Sequence, residues 1–183
     1  MGHRLSKIYT RTGDAGTTGL GDGSRTAKHS MRVAAMGDVD ETNCILGVML
    51  CEDIPADVRE LLTGIQHDLF DLGGELCVPG SSFLGAGLPA RLEAAIDRYN
   101  GELLPLKEFI LPGGARAAAF AHQARAVCRR AERSLVALAQ GEPVSETARQ
   151  YLNRLSDLLF VLARWLNLKA GCGDVLWQKA KNA

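Results

Sequence analysis

No Gly-Lys pair occurs anywhere in these 183 residues. That excludes a P-loop, whose G-x-x-x-x-G-K-[ST] sequence cradles phosphates with backbone N–H groups and a lysine. A dinucleotide fingerprint is missing as well. Gly19, Gly21 and Gly23 give only G-x-G-x-G, and no β-branched run precedes them to supply a strand. None of His3, His29, His67 and His122 follows a Glu by three residues, so the Glu-x-x-His pairs of a di-iron bundle are absent. His122 reads instead as a packing or hydrogen-bonding residue. No G-x-S-x-G elbow offers a serine nucleophile. Cys44, Cys51, Cys77, Cys128 and Cys172 contain no C-x-x-C pair. Their odd number and their places in apolar helical patterns read as reduced, buried thiols of a cytosolic protein, not as a zinc site.

Charge of one sign is also lacking. Lys plus Arg equals Asp plus Glu at 21 each, which argues against a general binder of nucleic acid or membrane surface. Met1 to Tyr9 has no apolar h-region of a signal peptide. Met1 to Ser6 matches a myristoylation pattern too short to carry weight. The longest uncharged apolar run, Leu158 to Ala163, is stopped by Arg164 and cannot span a bilayer. A cytoplasmic location is expected, with neither nucleic acid nor membrane as partner.

What the chain does have is concentrated in Thr10 to Lys28, TRTGDAGTTGLGDGSRTAK. Five glycines, five threonines and a serine sit with Arg11, Arg25 and Lys28, and the one large apolar residue is Leu20. Such a strip cannot form core. Glycine lets backbone approach closely, and N–H groups in turns form anion-binding nests. A solvated arm is the alternative, but the interleaved basic residues favour a phosphate site.

The rest reads as helices. Ser30 suits the cap of a first helix to about Glu52, with Val33, Met36, Val39, Leu46 and Leu50 inward. A second runs from Pro55 to about Cys77 on the stripe Leu62, Ile65, Leu69, Leu72 and Leu76. A shorter third covers Ala90 to Leu103 with Leu92, Ile96 and Tyr99 inward. A fourth runs from about Ala115 to Gln140. The fifth starts near Ser145 and ends near Gly171, on Leu152, Leu155, Leu159, Leu162 and Leu166. The Gly/Pro-rich breaks at residues 79–89 and 105–114 separate them. Long helices with short breaks make an all-α bundle in one domain, 1–183, divided into a loop (1–28), a bundle (29–171) and a tail (172–183). Trp165 and Trp177 read as core or interface aromatics.

Polar residues interrupt the helices in three places. Arg125, Arg129 and Glu132 share one face of the fourth helix, flanked by Arg130 and Arg133. That face is either a solvated surface of ordinary ion pairs, each worth ~0.3–0.5 kcal/mol, or an arginine fork matched to phosphate. Asn153 and Asp157 lie one turn apart in the fifth helix, and Asp40 and Asn43 pair similarly in the first.

In combination these segments resemble the PduO-type ATP:cob(I)alamin adenosyltransferases. The resemblance rests on KIYTRTGDAGTTGLGDGSRTAK, RVAAMGDVDETNCILG, FILPGG, HQARAVCRRAER and YLNRLSDLLFVLARWLN, and covers nearly the whole chain in order. One departure is Thr42, where the family usually has Leu. Residues 52–104 carry little of the signature.

The resemblance implies a five-helix bundle with an N-terminal nucleotide loop that orders on binding. It implies a homotrimer with active sites between subunits, and transfer of the 5′-deoxyadenosyl group of ATP to the cobalt of cob(I)alamin, with triphosphate leaving. Thr10, Arg11, Thr12, Gly13, Asp14, Gly16, Thr17, Thr18 and Lys28 match the family's ATP loop, and Arg129, Glu132 and Asn153 its ATP-contacting helical residues. Arg125 matches the partner of Asp40 in an ion pair across the subunit interface. Phe109 matches an aromatic under the corrin ring that excludes the lower axial ligand and favours four-coordinate cob(II)alamin. Asp157 lies close to this set without an assigned role. Mg²⁺ would accompany ATP, held mainly by its phosphates. A reductase and an adenosylcobalamin-dependent acceptor enzyme are the implied partners. The alternatives are a non-catalytic ATP or cobalamin sensor on the same fold and a purely structural helical oligomer; the latter leaves the loop unexplained.

Overall fold

The computed structural model describes residues 8–181. The myristoylation-like start and the last two positions of the tail lie outside the described residues. Five helices follow a small hairpin: β1 (Thr17–Gly19), β2 (Arg25–Ala27), α1 (Met31–Leu50), α2 (Ala56–Cys77), α3 (Leu88–Asn100), α4 (Arg116–Leu138) and α5 (Glu146–Lys169). The α4 helix packs on both α1 and α5, α2 on α1, and α3 on α5.

Local chemistry sets the helix ends. Ser30 Oγ accepts from Val33 N at 3.4 Å, and Ser145 Oγ from Ala148 N at 3.0 Å, each satisfying an N–H that the helix leaves unpaired. Pro89 falls in the first turn of α3, where its fixed φ suits a helix start. The third helix therefore begins earlier than its periodicity predicts, and it stops at Asn100.

The stripes predicted for α2 and α5 are buried throughout. Burying each such leucine contributes roughly 1.5–3 kcal/mol. In α1 the inward stripe is Ala35, Val39, Leu46 and Met49, with Val33, Met36 and Leu50 only half-buried beside it. The cysteine expectation needs correction. All five are free thiols, but only Cys128 is buried, while Cys44 and Cys51 are exposed. Cys44 points off the α1 stripe, and Cys51 is the residue that caps that helix.

Polar ties fix the helices relative to one another. Tyr151 on α5 donates to Asp68 Oδ2 on α2 at 2.6 Å, and Arg91 on α3 pairs with the same carboxylate. Arg130 Nε bonds Asp38 Oδ1 at 2.9 Å and also pairs with Glu41, so this arginine holds α4 on α1. Buried Arg32 donates to Leu76 O and to Glu142, both at 2.7 Å. No helix is long and apolar enough to cross a membrane among the described residues.

Candidate functional site

The N-terminal strip is folded. The strands pair antiparallel with Thr17 opposite Ala27 and Gly19 opposite Arg25. Three-residue strands leave no legible alternation, and side chains do much of the stitching. Arg25 Nη2 donates to Thr12 O at 2.7 Å and to Thr17 Oγ1 at 2.8 Å. Asp22 accepts from Ser24 N and Oγ at 2.9 and 2.6 Å, which fixes the hairpin tip and holds its carboxyl below the usual range.

Before the hairpin the backbone turns sharply. Arg11 sits at φ 61° and Gly16 at φ 83°. A left-handed arginine is sparsely populated and costs of order 1–2 kcal/mol; such strain clusters at functional segments. Gly16 N bonds Gly13 O at 3.1 Å, and Lys28 N bonds Gly16 O at 2.9 Å. A Cβ on Gly13 would lie 3.0 Å from Lys28 Nζ, so the missing side chain lets the ammonium close onto the turn. The result is a cavity of about 320 Å³. Thr10, Arg11, Thr12, Gly13, Asp14, Thr17, Thr18 and Lys28 line it, joined by Tyr9, Gly19 and Arg25. Every loop residue predicted for ATP is there except Gly16, which supplies the turn.

On the helices, Glu132 Oε1 accepts from Asn153 Nδ2 at 3.0 Å, and Arg154 Nη1 donates to Asn153 Oδ1 at 2.5 Å. Asn153 also lines a shallow cavity of about 340 Å³ with Glu146, Arg149, Gln150 and Arg154. Arg129 is exposed, and its side chain makes no hydrogen bond or ion pair among the described residues. Arg125, one turn before it, is half-buried, and its Nε is buried without a partner. Burial, and after it the Arg129 charge, hold the Arg125 guanidinium below its ordinary pKa. Two cations one turn apart on a helix, neither in an ion pair among the described residues, form a place where an anion is favoured. Asp157 is exposed on α5.

The Arg125 guanidinium lies 5.9 Å from the centre of the Phe160 ring. There it enters a cavity of about 530 Å³ lined by Leu106, Lys107, Glu108, Phe109, Ile110, His122, Arg125 and Phe160. Phe109 is 77% exposed and packs edge-on against Trp177 at 6.4 Å. Trp177 is thus a surface aromatic on the loop side of the cavity, whereas Trp165 is core. His122 is 4% exposed, and neither ring nitrogen has a hydrogen-bond partner. Burial, then Arg125, push its pKa below the ordinary 6.5, against a weaker pull from Asp174.

The predicted residues therefore form three groups in one chain. The loop set shares one cavity, Arg129, Glu132 and Asn153 share the α4–α5 surface, and Phe109 shares a cavity with Arg125. No hydrogen bond joins residues 10–28 to α4 or α5 among the described residues. Asp40 lines a groove between α1 and α2 and forms no ion pair with Arg125 within the chain. Sequence reasoning counts Arg25 among the basic residues of the loop without giving it a partner, and passes over the roles of Phe160, Arg164 and Asn167. A charged residue inside the apolar stretch 158–167 was the signal for Arg164.

The sequence profile of the family described as cobalamin adenosyltransferase matches residues 8–166. A cobalamin adenosyltransferase of Cupriavidus metallidurans is 61% identical over 184 residues, covering 100% of both chains. A corrinoid adenosyltransferase of Bacillus subtilis is 45% identical, covering 95% of this chain and 93% of its own. Among solved structures, a phenylalanine-to-histidine variant of a PduO-type ATP:corrinoid adenosyltransferase from Lactobacillus reuteri, complexed with cobalamin and ATP, superimposes with TM-score 0.90. It is 35% identical and matches 97% of this chain and 100% of its own. An arginine-to-lysine variant of that enzyme, complexed with ATP, gives 0.87 at 36% identity, over 94% of this chain and 100% of its own. Matched end to end by a relative and over most of its length by the profile, the chain belongs to the cobalamin adenosyltransferase family.

Proposed function

We propose that this chain transfers the 5′-deoxyadenosyl group of ATP to the cobalt of cob(I)alamin, giving adenosylcobalamin and triphosphate. The observation that carries the reading is the sequence of groups along α4. The unpaired cations Arg125 and Arg129 stand one turn apart, and the first opens into the Phe109 cavity. A polyphosphate at Arg129 would lie next to a space walled in part by Leu106, Phe109, Ile110 and Phe160, which suits a corrin ring.

The chemistry asks for no protein nucleophile. Cob(I)alamin brings its own reactivity, and the chain positions the reactants and meets growing charge. Attack at C5′ breaks the C5′–O bond, and the electron pair leaves on triphosphate. Arg129, Lys28 and the N–H groups of the Gly13–Gly16 turn are the groups that would hold it. Glu132 and Asn153 would hold the nucleoside end. Phe109 would cover the lower face of the corrin and favour four-coordinate cob(II)alamin on the way to cob(I)alamin. No cluster of three or more His, Cys, Asp or Glu residues is placed to hold a metal ion among the described residues. Mg²⁺ would come with the ATP phosphates.

The loop cavity and the α4–α5 surface lie apart in one chain, and a homotrimer would close one chain's loop over its neighbour's Arg129. In that assembly Asp40 would meet the neighbour's Arg125, supplying the carboxylate that Arg125 lacks. A reductase upstream, an adenosylcobalamin-dependent acceptor downstream and a cytoplasmic setting belong to the same reading. The complete loop cavity speaks against a sensor that binds without turnover.

The test is anaerobic. Protein is mixed with Mg·ATP and chemically reduced cob(I)alamin, and the visible spectrum is followed. Conversion to adenosylcobalamin with one triphosphate released per turnover supports the reading. ATP binding without conversion favours the sensor, and binding of neither ligand overturns both.

A further inference from the structure

Arg164 is 7% exposed, in the middle of a helix whose neighbours from Val161 to Asn167 are all buried. A guanidinium there is costly to desolvate unless it is paired and hydrogen-bonded, and a leucine would satisfy packing alone. What Arg164 holds is therefore informative. Its Nε donates to Asp174 Oδ2 at 2.9 Å and its Nη2 to Leu104 O at 2.8 Å. One fork thus grips both the loop before α4 and the tail after α5.

Those two segments are also bonded to each other. Leu111 N donates to Val175 O and Trp177 N to Phe109 O, both at 2.8 Å, around an antiparallel bridge between Ile110 and Leu176. One turn further along α5, Asn167 receives Ala115 N at 2.9 Å, donates to Gly113 O at 3.1 Å, and accepts Cys172 N on its backbone oxygen at 2.8 Å. Phe109 rides on this two-segment platform. Its ring has little packing of its own beyond the Trp177 edge, so its position is inherited from the platform's anchors.

We propose that Arg164, through its ion pair with Asp174 and its bond to Leu104 O, is the positioning residue that sets the height of Phe109 over the corrin cavity. The inference rests on the role given to Phe109 under the proposed function. Neither Arg164 nor Asp174 lines the cavity, so they act through the platform and not on the substrate.

The experiment uses the full-length protein with ATP and cob(II)alamin. It reads the absorption and EPR signature of the four-coordinate cobalt species, beside kcat, KM for ATP and Tm. Asp174→Asn keeps the volume and removes the charge. Losing one charge-assisted bond of this kind corresponds to about a 10- to 100-fold loss, expected in the four-coordinate fraction and in kcat, with KM for ATP held within about twofold. Arg164→Lys is the second variant, keeping charge for Asp174 but giving up the second arm of the fork; a smaller loss of the same kind is expected. Phe109→Ala is measured alone and combined with Asp174→Asn. In the Phe109→Ala background the tail substitution should add nothing further to the cobalt signal. A lowered Tm with a wild-type cobalt signature, or losses that multiply in the double variant, would overturn the positioning role. If Phe109→Ala itself leaves the signature unchanged, the reading of Phe109 falls and takes this inference with it. If Phe109→Ala acts and Asp174→Asn does not, the inference alone fails.

Discussion

Asn153 on α5 donates its amide to Glu132 on α4 at 3.0 Å, and so locks the carboxylate that faces the proposed nucleoside end. The pair is preformed, so binding need not order it. Asn153→Ala should weaken ATP binding about tenfold, the scale of one or two neutral-to-charged hydrogen bonds, and move Tm little because both side chains are partly exposed. Arg129→Ala should do more to turnover than to binding, since the charge it meets grows as triphosphate leaves. Titration calorimetry beside steady-state kinetics separates the two. Normal activity in Arg129→Ala, or an unfolded protein, would refute its role.

Mixing subunits tests whether the site is shared between chains. Arg129→Ala and Lys28→Ala are each expected to be inactive alone. Unfolded and refolded together, they should recover activity in roughly one site in four, from loops and helices assorting at random around a closed ring. No recovery in assembled mixtures would mean that each chain closes its own site.

Gly114 has φ 101°, and a Cβ there would sit 2.1 Å from Asn167 Oδ1. Gly114→Ala forces both a left-handed alanine and displacement of the amide that receives Ala115 N. A loss of about 2 kcal/mol or more follows from strain plus one broken bond. Chemical denaturation measures it, and wild-type stability would contradict the geometry.

His122 makes the protein sensitive to mild acid. Burial, then Arg125, depress its pKa in the folded state below the ordinary 6.5, and Asp174, itself paired with Arg164, only partly offsets them. The unfolded chain therefore takes up a proton first as pH falls. Stability from this group is complete above 6.5 and is lost as pH falls through the folded-state value, with a slope of at most ~1.4 kcal/mol per pH unit. His122→Asn should flatten that part of the pH–stability curve. An unchanged curve would mean that another group titrates there.

The helices were legible because leucines at steps of three and four leave little choice of face, as in Leu62 to Leu76 and Leu152 to Leu166. Ser30 and Ser145 announced two starts by their side chains. The α1 stripe was less clear, since alanine and methionine carry much of it and Val33 flanks it. The hairpin was hidden because Arg25 binds Thr12 and Thr17 across sequence, and strands of three residues show no period. Residue types alone suggested an anion site in the loop, and the loop residues share one cavity. Residue types did not give the partners of Arg164 and Asn167, which lie in the α3–α4 loop and the tail and become visible only when those segments are folded onto α5.

The hairpin meets the helices through the Gly21 N–H, which bonds the carbonyl of Cys77, the last residue of α2, at 2.7 Å. A side chain at Gly21 would collide with Val78 at 2.6 Å, so the approach is as close as backbone allows. Among the described residues this is the one hydrogen bond between residues 17–27 and the helices. The hairpin is accordingly expected to open more readily than the bundle. Amide protons paired across the strands are expected to exchange by local opening of the hairpin, and those of buried α5 far more slowly. Opening the hairpin would break one hydrogen bond to the helices and leave the buried stripes of α2 and α5 in place.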